Sequence, residues 1–158
     1  MKAIVIYDSQ FGNTEKVAQA IHTALAARGE SSLIRAADVT DAALAGCDLI
    51  VVGSPTQRFQ ATEPVAHFLE RRALPQTRAA AFDTRLDMAE VDSRVLRLAV
   101  KVAGDNAWAA TRIADQLAKA GATLAAEPEG FIVEGTEGPL RAGELERAAE
   151  WAGQLVAA

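Results

Sequence analysis

Ala3-Ile4-Val5-Ile6-Tyr7-Asp8-Ser9-Gln10-Phe11-Gly12-Asn13-Thr14 is the stretch that decides the fold. Ala3 to Tyr7 is a continuous apolar, largely β-branched run, the pattern of a parallel strand covered by helices on both faces. Asp8 to Asn13 is polar and holds Gly12. Thr14 to Arg28 then takes up helical spacing, with Val17, Ile21, Ala24 and Leu25 on one face and Gly29 as the stop. Strand, short turn and helix make one β-α unit.

Working outward, the unit repeats. Ser32 to Arg35 is a short second strand, and Asp41 to Ala45 a short helix. Leu49 to Gly53 is a second strongly apolar strand, and Ser54 to Ala61 the loop after it. Thr62 can cap the next helix, with Glu63 and Pro64 in its first turn and Val65, Phe68 and Leu69 inward. Ala79 to Phe82 is the fourth strand. Between Asp87 and Asp105, Val91, Val95, Leu98 and Val102 have helical spacing. Leu96 to Val100 also reads as a strand, and the helix is preferred because Ala79 to Phe82 already fills the fourth-strand slot. Ala107 to Ala120 is a helix with Ile113, Ala114 and Leu117 inward. Ala122 to Ala125 and Phe131 to Val133 form the last strand, bent at Pro128, and Leu145 to Val156 is a closing helix with Leu145, Ala149, Ala152 and Leu155 inward. Five β-α alternations predict an α/β fold, a three-layer open parallel five-stranded sheet.

A chain of 158 residues is long enough to enclose a core, and with no repeats or linkers it reads as a single domain over residues 1–158. The net charge of −5 lacks the basic footprint of a nucleic-acid binder. It suits docking to a basic face on another protein. One cysteine, Cys47, excludes an internal disulfide and points to a buried structural thiol in a reducing, cytoplasmic setting. No signal peptide precedes the first strand, and no apolar stretch spans a membrane. His22 and His67 have no partners at ligand spacing, so no metal is expected. Trp151 reads as packing, and Glu144, Glu146 and Glu150 as a solvated face.

The first loop carries the chemistry. Ser9, Gln10, Asn13 and Thr14 bring hydroxyl and amide donors to a helix start whose first N–H groups are unpaired, and Gly12 lets the backbone turn around an anion. No Lys or Arg lies in the loop, so amides and the helix end would hold a phosphate. A phospho-accepting Asp at the end of strand three is absent, since Gly53-Ser54 stands there. The first loop matches neither G-x-G-x-x-G nor G-x-x-x-x-G-K-[ST].

Ile4 to Val17, with Ser9, Gly12, Asn13 and Thr14, resembles the FMN-phosphate loop of the flavodoxin family, and the resemblance extends through Gly53-Ser54-Pro55-Thr56. Element order and length resemble a short-chain flavodoxin. The resemblance implies strand order 2-1-3-4-5 and FMN at the C-terminal ends of the strands. Flavodoxin is itself the standing example of that rule, so the location is taken from it. The phosphate would sit in Ser9, Gln10, Phe11, Gly12, Asn13 and Thr14. The ring would lie between Pro55, Thr56, Gln57, Arg58 and Phe59 of the second loop and Asp83, Thr84 and Arg85 of the third. The implied function is electron transfer between redox partner proteins, a reductase and an acceptor, with no nucleic acid or membrane. A flavodoxin-like NAD(P)H:quinone reductase and an interaction protein that has lost flavin binding are the alternatives. Phe11 stands where many flavodoxins have a hydroxyl, Phe59 is the clear aromatic of the second loop, and Asp83 to Leu86 has none. Arg58 is a cation that would favour an anionic reduced flavin beside it.

Overall fold

The computed structural model describes residues 1–157. Strands β1 (Lys2–Tyr7), β2 (Glu30–Arg35), β3 (Leu49–Pro55) and β4 (Arg78–Leu86) form a parallel sheet in the order β2-β1-β3-β4. Two further strands, β5 (Thr123–Leu124) and β6 (Glu129–Val133), pair in succession along the free edge of β4, so the predicted order 2-1-3-4-5 holds with the fifth position divided between two strands. Pro128 lies in the break between them, because it has no N–H to give to a ladder.

The period of two along each strand builds two cores. Ala3, Val5 and Tyr7 of β1 face one side, where they meet α1 (Asn13–Ala26) and α6 (Glu144–Ala157). Ile4 and Ile6 face the other, where they meet α3 (Glu63–Glu70) and α5 (Ala109–Lys119). On the first side Phe82, Phe131 and Trp151 pack edge to face, with ring centroids 6.1 to 6.3 Å apart. Gly53 permits this, since a Cβ there would lie 2.0 Å from Cζ of Phe82. A short α2 (Asp41–Leu44) precedes β3, and α4 (Arg94–Ala103) lies in the excursion between β4 and α5. Among the described residues no helix is long and apolar enough to cross a membrane.

Several expectations are corrected. β4 runs on to Leu86, so Asp83, Thr84 and Arg85 are strand residues and not a loop. β3 pairs with Asp83 and Thr84, and β6 pairs with the whole stretch from Phe82↔Glu129 to Leu86↔Val133. In α6 Ala152 and Leu155 face inward as expected, but in the first turn Leu145 is 40% exposed and Glu144 only 7%. The Glu144 carboxylate turns in to accept from the Ile132 N–H at 2.6 Å and the Arg147 guanidinium at 2.7 Å. Burial pushes the Glu144 pKa up, but these hydrogen bonds outweigh it and hold the group below the usual carboxylate range. Gly29 is no left-handed stop. α1 closes through Ala27, and Gly29 is needed because a Cβ there would lie 2.6 Å from the Met1 carbonyl. Thr62 occupies the N-cap of α3 without using its hydroxyl, and its N–H instead donates to Ser54 Oγ at 2.9 Å. Cys47 is half-buried, its thiol pushed up by burial and donating to the Ala43 carbonyl. The α4 helix forms, but its spaced apolar residues Val95, Leu98 and Val102 face outward.

Candidate functional site

The strands end together, and their C-terminal ends open into a cleft. From the first loop it is lined by Ser9, Gln10, Phe11, Asn13 and Thr14, and from the end of β3 by Pro55, Thr56 and Gln57. β4 gives Thr84, Arg85 and Leu86, and the last β-α connection gives Val133 and Thr136.

The first loop is shaped for an anion. Gly12 caps α1 with φ of 91°, a left-handed conformation that glycine adopts without steric cost. Its N–H donates to Ser9 Oγ at 3.1 Å, which leaves the serine O–H free to donate. No side chain caps the helix, and among the described residues the N–H groups of Asn13, Thr14 and Glu15 carry no hydrogen bond. The helix dipole and these donors favour negative charge at one point. Thr14 Oγ1 and Thr84 Oγ1 lie 2.7 Å apart, so one hydroxyl proton of the pair remains to give. Asn13 is committed elsewhere, because its side-chain amide donates to the Glu137 carbonyl at 3.1 Å and ties the loop to the segment after β6.

A cation does reach this loop, from a strand the loop's own sequence does not contain. Arg35 ends β2 opposite Tyr7. Its guanidinium stacks over the Tyr7 ring at 5.2 Å and pairs with Asp8 at 3.5 Å and Glu15 at 3.7 Å. Tyr7 donates to Glu15 at 3.0 Å, and burial followed by that bond pushes its phenol up.

The opposite wall is a closed network. Asp83 is fully buried and accepts from Thr56 Oγ1 at 3.1 Å, from the Ala110 N–H at 2.9 Å and from Arg85 at 2.6 and 2.8 Å. Thr56 Oγ1 in turn accepts from the Ala109 N–H at 2.9 Å. Arg85 lies over the Trp108 indole at 4.2 Å, in space that a side chain at Gly130 would fill. Asp83 is therefore a support beneath the cleft. Arg85 is the guanidinium that lines it.

Of the expected site residues, Gly12, Arg58, Phe59 and Asp83 do not line the cleft. Arg58 and Phe59 form the tip of a tight turn closed by the paired Gln57 and Gln60 backbones, with φ of 50° and 67°. The Gln57 amide donates to Gln10 across the cleft mouth. Leu86, Val133 and Thr136 were missed. For Val133 and Thr136 the signal was available, since a strand beside β4 ends at the same edge of the sheet.

A sequence model of the flavodoxins matches residues 5–151. The chain belongs to the flavodoxin family. Solved flavodoxins share its fold. One from the domain Archaea aligns with a TM-score of 0.75 at 22% identity, covering 99% of this chain and 97% of that one. Oxidised flavodoxin 2 from Bacillus cereus gives the same TM-score of 0.75 and 22% identity, covering 99% of both chains. The rubredoxin oxygen:oxidoreductase of Desulfovibrio gigas matches at a TM-score of 0.71 and 17% identity over 99% of this flavodoxin but only 35% of its own length. At these identities the likenesses establish the fold alone.

The donor set of this flavodoxin fits a phosphate ester at the start of α1. Free backbone N–H groups and hydroxyls converge there, and Gly12 needs no side chain. Beside it, Phe11, Pro55, Leu86 and Val133 offer apolar wall, and the Gln10 and Gln57 amides offer polar edges for a flat heterocycle.

Proposed function

We propose that this chain is a single-domain electron carrier of residues 1–158 that holds FMN in the cleft at the C-terminal end of its sheet. It works in a reducing cytoplasm between a reductase and an acceptor protein. The observation that carries this reading is the open start of α1, where, among the described residues, the N–H groups of Asn13, Thr14 and Glu15 have no partner. FMN, when bound, supplies the redox chemistry. The backbone N–H groups of Asn13, Thr14 and Glu15 and the hydroxyls of Ser9, Thr14 and Thr84 hold its phosphate. Phe11, Pro55, Thr56, Gln57, Leu86 and Arg85 border the ring.

The test is the visible absorbance of purified protein before and after adding FMN and desalting. Flavin bands that stay with the protein are expected. A folded protein that retains no flavin overturns the reading and leaves the α1 start as a site for another anion.

A further inference from the structure

The excursion from Asp87 to Trp108 carries a surface that the fold itself does not use. No residue of α4 is buried. Leu96, Ala99, Val100 and Ala103, on the other side of the helix, are half-buried. Val95, Leu98 and Val102, three and four residues apart, form one stripe that is 80%, 62% and 81% exposed. Arg94, Arg97 and Lys101, at the same spacing, form a second stripe beside it. α4 contains no acidic residue, and among the described residues none of these three cations enters an ion pair. In a chain of net charge −5, this is an apolar stripe flanked by unneutralised positive charge.

Both ends of the excursion are fastened to the cleft wall. It leaves β4 at Leu86, which lines the cleft, and Arg141 clamps it through Asp87 at 3.2 Å and Glu90 at 3.0 Å. It returns at Trp108 beneath Arg85, and at Ala109 and Ala110 on Thr56 and Asp83. The stripe is thus carried on a strap tied to the rim of the candidate flavin site.

We propose that the outward face of α4 is the docking surface for an electron-transfer protein whose redox centre lies beneath an apolar patch ringed by carboxylates. The proposal rests on the carrier reading above and names the chemistry of one of its partners. Charge complementarity selects this occupant. Carboxylates pair with the three free cations and steer the encounter, while the apolar centre covers Val95, Leu98 and Val102. A second copy is disfavoured, because a symmetric contact of two α4 faces brings the same cations together. An anionic membrane is disfavoured by the absence of any aromatic residue on α4.

The experiment is isothermal titration calorimetry of an acidic plant-type [2Fe–2S] ferredoxin against the full chain, with and without FMN, at low and high salt. Binding that weakens with salt is expected. The combined Arg94→Glu, Arg97→Glu, Lys101→Glu variant and the combined Val95→Ser, Leu98→Ser, Val102→Ser variant should each weaken it by about ten-fold or more. Absence of binding, or binding that neither variant alters, overturns the proposal. So does a dimer of this chain that the serine variant dissolves, or co-sedimentation with phosphatidylserine vesicles that the glutamate variant abolishes. The two readings fail separately. A flavin-loaded chain that does not bind ferredoxin loses the docking surface and keeps the carrier. A chain that refuses FMN yet binds ferredoxin through α4 keeps the surface and loses the carrier.

Discussion

Two helices begin at the same end of the sheet, and they begin differently. α5 starts closed, with the N–H groups of Ala109 and Ala110 taken by Thr56 and the buried Asp83. α1 starts open, with the N–H groups of Asn13, Thr14 and Glu15 unpaired among the described residues, behind a glycine cap. Every helix N-terminus favours an anion. In α5 the protein supplies that anion itself, as the Asp83 carboxylate. In α1 the one first-turn carboxylate, Glu15, is held by Tyr7 and Arg35 instead, and the N–H groups stay open. A candidate anion site in this fold is therefore recognised less by a helix start than by the lack of an internal group that satisfies it.

The comparison breaks most heavily at Asp83. Asp83→Ala removes the acceptor of the Ala110 N–H and of Thr56, and leaves Arg85 without its partner. A cost of about 3 kcal/mol is expected, because breaking a buried pair strands the remaining charge. For a chain of this size that is a fall in Tm of roughly 6 to 12 °C, read by thermal denaturation. A change within error would show that the closed start of α5 does not depend on its carboxylate.

The open start is sharpened by Gly12→Ala. A Cβ at Gly12 meets nothing within 4 Å, so the cost arises from the backbone alone, at φ of 91°. About 1 to 2 kcal/mol is expected. Gly12→Asn should lose less, because asparagine tolerates the left-handed region better. Both can be measured by urea denaturation without ligand. Equal losses for the two would argue that a contact, and not the backbone angle, demands glycine.

The contrast was half legible in the sequence. Ser9 to Thr14 announces itself because everything it needs is local: a buried strand, a glycine and a helix start within twelve residues. Arg35 was not legible there, since only the β1–β2 register brings it to Asp8. Arg85 looked like a loop residue because its strand character depends on β6, more than forty positions away, and the same strand flanks Asp83 opposite β3. In α6 the expected inward residues Ala152 and Leu155 are buried, and the difference lies in the first turns. Apolar spacing selects Leu145, but the folded chain buries Glu144, whose carboxylate the Ile132 N–H and Arg147 satisfy.

The same limit applied to α4. Spacing correctly identified a helix and an apolar face, and it was silent on what covers that face. Serine at Val95, Leu98 or Val102 should change stability by no more than about 0.5 kcal/mol each, the usual range for surface substitutions that break no contact. Serine at Ile113 of α5, which is buried against the sheet, should cost several times more. Thermal denaturation of the four variants at two protein concentrations decides the matter. If the α4 variants were as costly as the Ile113 variant, the stripe would be covered in the free protein. If that cost vanished on dilution, the cover would be a second copy of the chain. Stability unmoved at both concentrations would mean that the folded monomer bears three exposed apolar side chains with no internal use for them, and the selective reason for them then has to lie in a partner.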